Sequence, residues 1–163
     1  MSKKIILTLE EIGLGTRAAL KQFTKPMYKA QGKNNRLENH LCGKLGEIAY
    51  SKITRHKINL EHFENSGDGG LDADDGAQIK TVCWTGPNKQ IKVSRKEYEA
   101  SLVNPKIKKF VLMFMDPKKG GEEIELIGWI SKEVFSKNYH TESKWGEDLL
   151  LIDENQLECY YKD

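Results

Sequence analysis

The chain has 163 residues, 26 of them basic and 24 acidic, with 38% hydrophobic residues and 31% charged ones. That length fits one domain with a real core, and a longest apolar run of six residues, over 110–115, excludes a membrane-spanning helix. The net charge of +2 hides four blocks: +8 over residues 1–57, −6 over 58–76 with no base at all, +6 over 77–110 and −6 over 111–163.

Residues 1–35 read as an N-terminal helix and a basic loop, and 36–163 as the core of a single domain. The apolar run Ile5-Ile6-Leu7 before Thr8 is too short for a signal peptide, so a cytoplasmic or nucleoid-associated protein is expected, not a secreted one. Thr8-Leu9-Glu10-Glu11 has the form of a capping box and predicts a helix over 9–23 that Pro26 ends. The Lys-, Gly- and Asn-containing stretch 25–35 reads as a loop. Asn35 with Glu38 predicts a second cap and a longer helix to residue 53, with Leu37, Leu41, Leu45 and Ile48 as its apolar stripe.

The period then changes to two. A strand is expected over 58–63, a glycine-rich turn over 66–70, and two strands over 71–73 and 77–84 joined at Asp74-Asp75-Gly76. Residues 90–93 extend the sheet. Ser94 and Glu97 form a third capping box that opens a short helix to 102. A buried strand over 108–115, a turn at 117–121, a strand over 125–130, a helix capped by Ser131 and a last strand over 149–152 complete the chain. Helices first and a strand meander after predict an α/β fold with a mixed central sheet flanked by helices.

Four residues carry chemistry. Glu47, within Gly43-Lys44-Leu45-Gly46-Glu47, points away from the apolar stripe of its helix. Gln78 and Lys80 lie two apart on one strand and so share a face. The turn at Asp75-Gly76 brings Asp72 beside that strand. A hard divalent cation such as magnesium takes oxygen ligands, which Asp72 and the Gln78 amide supply, with Glu47 for a second cation or for ordering water. Lys80 can offset charge that builds on phosphorus. An acidic cluster between two basic segments is also what a metal-assisted site on a phosphate polymer needs.

The order Gly-x-x-Gly-Glu47 on a helix, Gly67-Asp68-Gly69-Gly70-Leu71-Asp72, and Gln78-Ile79-Lys80 on a strand resembles the PD-(D/E)XK nuclease superfamily, the restriction-endonuclease-like members that use Q-x-K above all. Gly128-Trp129-Ile130 looks like a late strand of such nucleases, and the likeness covers residues 37–131. The resemblance implies a four-stranded mixed sheet flanked by helices and magnesium-dependent cleavage of double-stranded DNA, with manganese as a substitute. It gives Glu47, Asp72, Gln78 and Lys80 as the catalytic set and Asp72, Gln78 and Glu47 as metal ligands, with Asp68 or Asp74 as substitutes in the metal shell. Gln78 stands where the family has Asp or Glu, which removes one negative ligand.

Lys33, Arg36, Lys44, Trp84, Lys89, Lys92, Arg95 and Lys96 are the expected nucleic-acid contacts, the lysines and arginines on phosphates and Trp84 by stacking. One site per chain on two-fold DNA suggests a homodimer. A binding module of the same fold without catalysis is the alternative that Gln78 suggests, and a protein-interaction domain docking through the acidic segment 120–163 is a third. His40 is expected to be a surface or packing residue, Cys42 and Cys83 to be packing residues, and Asp74 and Asp75 to be solvated in their turn. Three cysteines with no CxxC spacing give neither a disulfide framework nor a zinc site.

Overall fold

The structure is a computed structural model that describes residues 2–24, 36–60, 71–83, 89–144 and 146–159. Strand β1 (Lys3–Ile6) leads into α1 (Leu9–Phe23) and α2 (Leu37–Thr54), followed by β2 (Ala77–Val82), β3 (Gln90–Ser94) and α3 (Arg95–Val103). Then come β4 (Lys109–Met115), β5 (Glu123–Ser131), α4 (Lys132–Asn138), β6 (His140–Lys144) and β7 (Glu147–Asp153). The class is α/β with a mixed sheet. No helix among the described residues is long and apolar enough to cross a membrane.

The four-stranded sheet runs β1-β5-β4-β2, with β2 parallel to β4 and the other pairs antiparallel. β2 is therefore an edge. β4 is apolar along almost its whole length because both of its faces are covered. On one face α2 packs through Leu45, Ile48 and Ala49 against Ala77, Ile79, Val111 and Met113. On the other, Phe110, Leu112 and Ile130 meet Ile91, Val93, Leu150, Ile152 and Phe135.

That second layer corrects the expectation of a single central sheet. Residues 90–94 do not extend the main sheet but form a separate three-stranded antiparallel one, in the order β3-β7-β6. The continuous apolar run of β4 needs such a cover. β1 and β6 were not expected either: β1 has four residues, and β6 is exposed along its whole length, so neither shows apolar alternation.

The strand expected over 71–73 is reduced to one isolated bridge of Ala73, while most helix starts match. Thr8 and Glu11 form the reciprocal box, with Glu11 N donating to Thr8 Oγ1 and Thr8 N to Glu11 Oε2. Ser131 accepts from Val134 N. Gly76 closes the tight turn at a φ of +86°, and a Cβ there would also lie 2.8 Å from the Lys106 carbonyl. Two caps differ. Arg36, with no side-chain bond, is the N-cap of α2, while Asn35 lies outside the described residues. Ser94 caps α3, but the Glu97 carboxylate does not return to the cap backbone. Of the strand expected over 58–63, Ile58 makes an isolated bridge to Ala73, and residues 61–63 lie outside the described residues.

Candidate active site at the free edge of β2

α2 sets the first wall. A Cβ on Gly46 would sit 2.9 Å from Thr81 Cβ and overlap the Thr81 hydroxyl, so the missing side chain lets the helix lie directly on β2. That contact brings the next residue, Glu47, to the edge. Glu47 is 7% exposed and Lys44, one turn earlier, 5%. Lys44 Nζ donates to both Glu47 oxygens at 2.9 Å. Lys44 is thus not the surface phosphate contact expected of it. The helix is buried all round from Lys44 to Tyr50, because α1 covers one side and the sheet the other.

Asp72 runs beside the free edge. Its Oδ2 accepts from Ile79 N at 2.7 Å, and its own N–H donates to the Ala77 carbonyl. In a parallel pair alternate residues turn their backbone groups outward, so Ile79 offers that N–H to the open side. Among the described residues no strand pairs with this edge, and the carboxylate takes the outward N–H of the residue before Lys80.

Gln78 and Lys80 point to the opposite sheet face from Ile79, where α3 brings Glu97. Gln78 is 3% exposed and donates through Nε2 to Glu97 Oε1 at 2.8 Å. Lys80 Nζ donates to the same oxygen. An ionised carboxylate only accepts, so this bond fixes which way the amide faces. Gln78 Oε1 is left buried with no partner among the described residues. Such an oxygen costs free energy unless something else satisfies it.

The charges are mutually coupled. Burial, then the Asp72 charge, pushes the Glu47 carboxyl up to about 8 against the pull of Lys44 and Lys80. Burial likewise pushes Asp72 up to about 6, with Ile79 N–H, Lys80 and Lys44 pulling it down and Glu97 pushing it up. Three carboxyl groups face two ammonium groups, and ionising all three would leave an excess of negative charge, which is why the Glu47 proton is held so tightly. All the free donor atoms are oxygens. A hard divalent cation fits this set: Asp72, Glu47 and Gln78 Oε1 would hold it, and its charge would relieve the excess.

No family model, curated protein or solved structure matches this chain.

Glu47, Asp72 and Lys80 act on one another's charge, and Gln78 shares the Glu97 oxygen with Lys80. Glu97 was missed, having been assigned to the cap of α3. The neutral Gln78, in a set that otherwise needs acid, was the one sequence signal that a carboxylate must come from elsewhere. Arg36, Lys92, Arg95 and Lys96 are exposed, Arg95 with its Nε 3.3 Å from Asp148, and Lys89 is half-buried on Glu125 at 3.0 Å. Lys33, Asp68 and Trp84 lie outside the described residues. His40 packs its ring edge-on to Phe23, and Cys42 is buried with its thiol on the Thr81 carbonyl at 3.7 Å.

Asp75 is not a solvated turn residue. Its Oδ2 accepts from Tyr50 Oη and from Lys109 Nζ, each at 2.6 Å, and it ties α2 to β4. His56 Nδ1 lies 3.0 Å from Asp74 and Nε2 3.6 Å from Asp75, so these three residues also cluster. Both ring nitrogens and Asp75 Oδ2 are already engaged there, which makes the cluster a brace.

Proposed function

We propose that this chain is a metal-dependent DNA endonuclease with a restriction-endonuclease-like active site. The observation that carries the reading is the grouping of the buried Glu47, the half-buried Asp72 and Lys80 at one sheet edge, with the Gln78 amide oxygen on the same strand buried without a partner among the described residues. When bound, magnesium or manganese supplies Lewis-acid charge that lowers the barrier to attack of water on phosphorus.

The protein groups then have distinct tasks. Asp72, anchored on Ile79 N–H, presents its second oxygen to the site. Lys44 holds both Glu47 oxygens in one orientation. Glu97 holds the Lys80 ammonium in place, so that it can stabilise negative charge growing on the phosphoryl oxygens. The same Glu97 oxygen holds the Gln78 amide with its carbonyl turned away. Arg36, Lys92, Arg95 and Lys96 are the surface groups placed for backbone phosphates. A two-fold pair of chains would present one site to each strand of a duplex, and a cytoplasmic or nucleoid location follows from a DNA substrate.

A second reading, a DNA-binding module without catalysis, is favoured by two observations: Gln78 is neutral, and Lys80 is already paired with Glu97. Incubation of duplex, single-stranded and branched DNA with the protein separates the two. The nuclease gives cleavage products with magnesium or manganese and none in chelator, and Lys80→Ala abolishes them in a folded protein. Salt-sensitive DNA binding with no cleavage in any cation leaves the module.

A further inference from the structure

The close approach of α2 to β2 at Gly46 has a second consequence, one helical turn away. Tyr50 reaches Asp75 and Gly46 meets Thr81, so the helix and the strand run in opposite directions. Cys42 stands four residues before Gly46 on the same helix face, and Cys83 two residues after Thr81 on the same strand face. Both steps are roughly 6 Å, at ~1.5 Å per helix residue and ~3.3 Å per strand residue. The two cysteines therefore meet. Cys42 Sγ lies 3.7 Å from the Thr81 carbonyl and in hydrogen-bond contact with the Cys83 thiol. Cys83 packs against the apolar cluster that contains Cys42.

Their surroundings differ. Cys42 is 1% exposed, whereas Cys83 is half-buried and lines a cleft of about 560 Å3 together with Lys80, Asn39 and Lys92. The hydrogen bond with Cys83, then burial, pushes the Cys42 thiol above its ordinary value. The same bond lowers the Cys83 thiol against the effect of its burial. The thiolate is the nucleophile, so the member that a small molecule can reach is also the reactive one. Its neighbour keeps a proton and stays within reach of the Cys83 sulfur, as a resolving thiol must.

We propose that Cys42 and Cys83 form a dithiol modification site that a hydroperoxide oxidises reversibly to a disulfide. With hydrogen peroxide, the Cys83 sulfur attacks one oxygen and the O–O bond breaks. The departing hydroxide takes up the proton that Cys83 had released and leaves as water. Cys83 is then a sulfenic acid. The Cys42 sulfur attacks the Cys83 sulfur, the S–O bond breaks, and the hydroxyl leaves with the Cys42 proton as a second water. Two thiols are oxidised to one disulfide and one peroxide is reduced to two waters. The bond joins α2 to the residue that follows β2. Neither sulfur is among the groups assigned to the cation, so the site stands apart from the nuclease reading.

The test treats the reduced whole chain with hydrogen peroxide near neutral pH, blocks remaining thiols by alkylation and digests with trypsin. The expected result is an intact mass lower by two hydrogens and a crosslink between the peptides 37–44 and 81–89, both reversed by dithiothreitol. Cys42→Ala is expected to stop Cys83 at the sulfenic acid, which dimedone captures, and Cys83→Ser to leave Cys42 reduced under the same exposure. A crosslink through the exposed Cys159 in place of this pair overturns the proposal. So does Cys83 carried to the sulfinic acid while Cys42 stays reduced, or no oxidation of either thiol. The mapping is made on the unaltered chain, so it decides the matter even where a variant fails to fold.

Discussion

The Gln78 side-chain amide donates to Glu97 at 2.8 Å, and that bond leaves the Gln78 carbonyl oxygen buried where no described protein group meets it. Glu97→Gln removes the charge that holds both Gln78 and Lys80. Loss of such a supporting partner costs about 10–100-fold in metal affinity or activity. Manganese affinity by calorimetry and plasmid nicking are both expected to fall by that factor. The double exchange Gln78→Glu with Glu97→Gln keeps one carboxylate and one amide in contact and is expected to recover most of the manganese affinity. No recovery would mean that Glu97 acts by some route other than this bond.

Raised carboxyls make the metal-free protein sensitive to pH. An acid whose folded pKa exceeds its unfolded value holds its proton more tightly when folded, so stability declines as pH climbs from the unfolded value through the folded one. Burial sets Glu47 at about 8 and Asp72 at about 6. In chelator the melting temperature is expected to drop between about pH 4 and 8, with Asp72 and Glu47 both contributing below about pH 6 and Glu47 alone above it. Glu47→Gln removes the upper part, and saturating magnesium flattens the curve. A flat curve in chelator would contradict the coupling.

The two glycines of Gly-x-x-Gly-Glu are not equivalent. At Gly43 an added Cβ meets nothing within 4 Å, whereas at Gly46 it collides with Thr81. Gly43→Ala is expected to stabilise the helix by about 0.5–1 kcal/mol. Gly46→Ala forces α2 off the sheet and is expected to cost about 2 kcal/mol or more in urea unfolding. It also withdraws Glu47, so manganese affinity falls with it.

Asp75 separates scaffold from site. Its side chain is 9% exposed and accepts from Tyr50 and Lys109. Asp75→Asn removes the charge that Lys109 and Tyr50 both engage and is expected to destabilise by about 3 kcal/mol. Manganese affinity at 10 °C, where the variant stays folded, is expected to be unchanged. A lost cation would transfer the metal reading to the His56–Asp74–Asp75 cluster.

Much of this was legible in the chain. Side-chain alternation places Gln78 and Lys80 on one face, the turn at Gly76 returns Asp72 to the same strand, and Thr8 and Ser131 mark helix starts, because each depends on neighbours within a few residues. What was not legible depends on packing between distant elements. Glu97 has the local form of a capping residue, and only the approach of α3 to β2 draws its carboxylate away. Lys44 looks like a surface lysine until α1 and the sheet close around α2. The split into two sheets follows from both faces of β4 being apolar, a demand that no strand states alone. Asp75 reads as a turn residue because Tyr50 and Lys109 are far away in sequence.

The central claim is that Glu47, Asp72 and Gln78 hold a divalent cation at the edge of β2, and calorimetric titration of manganese into the metal-free protein tests it most directly. Saturable binding is expected in the unaltered chain, lost in Asp72→Asn and weakened in Glu47→Gln, with both variants folded by circular dichroism. Equal binding in all three proteins, or none in the unaltered one, would contradict it.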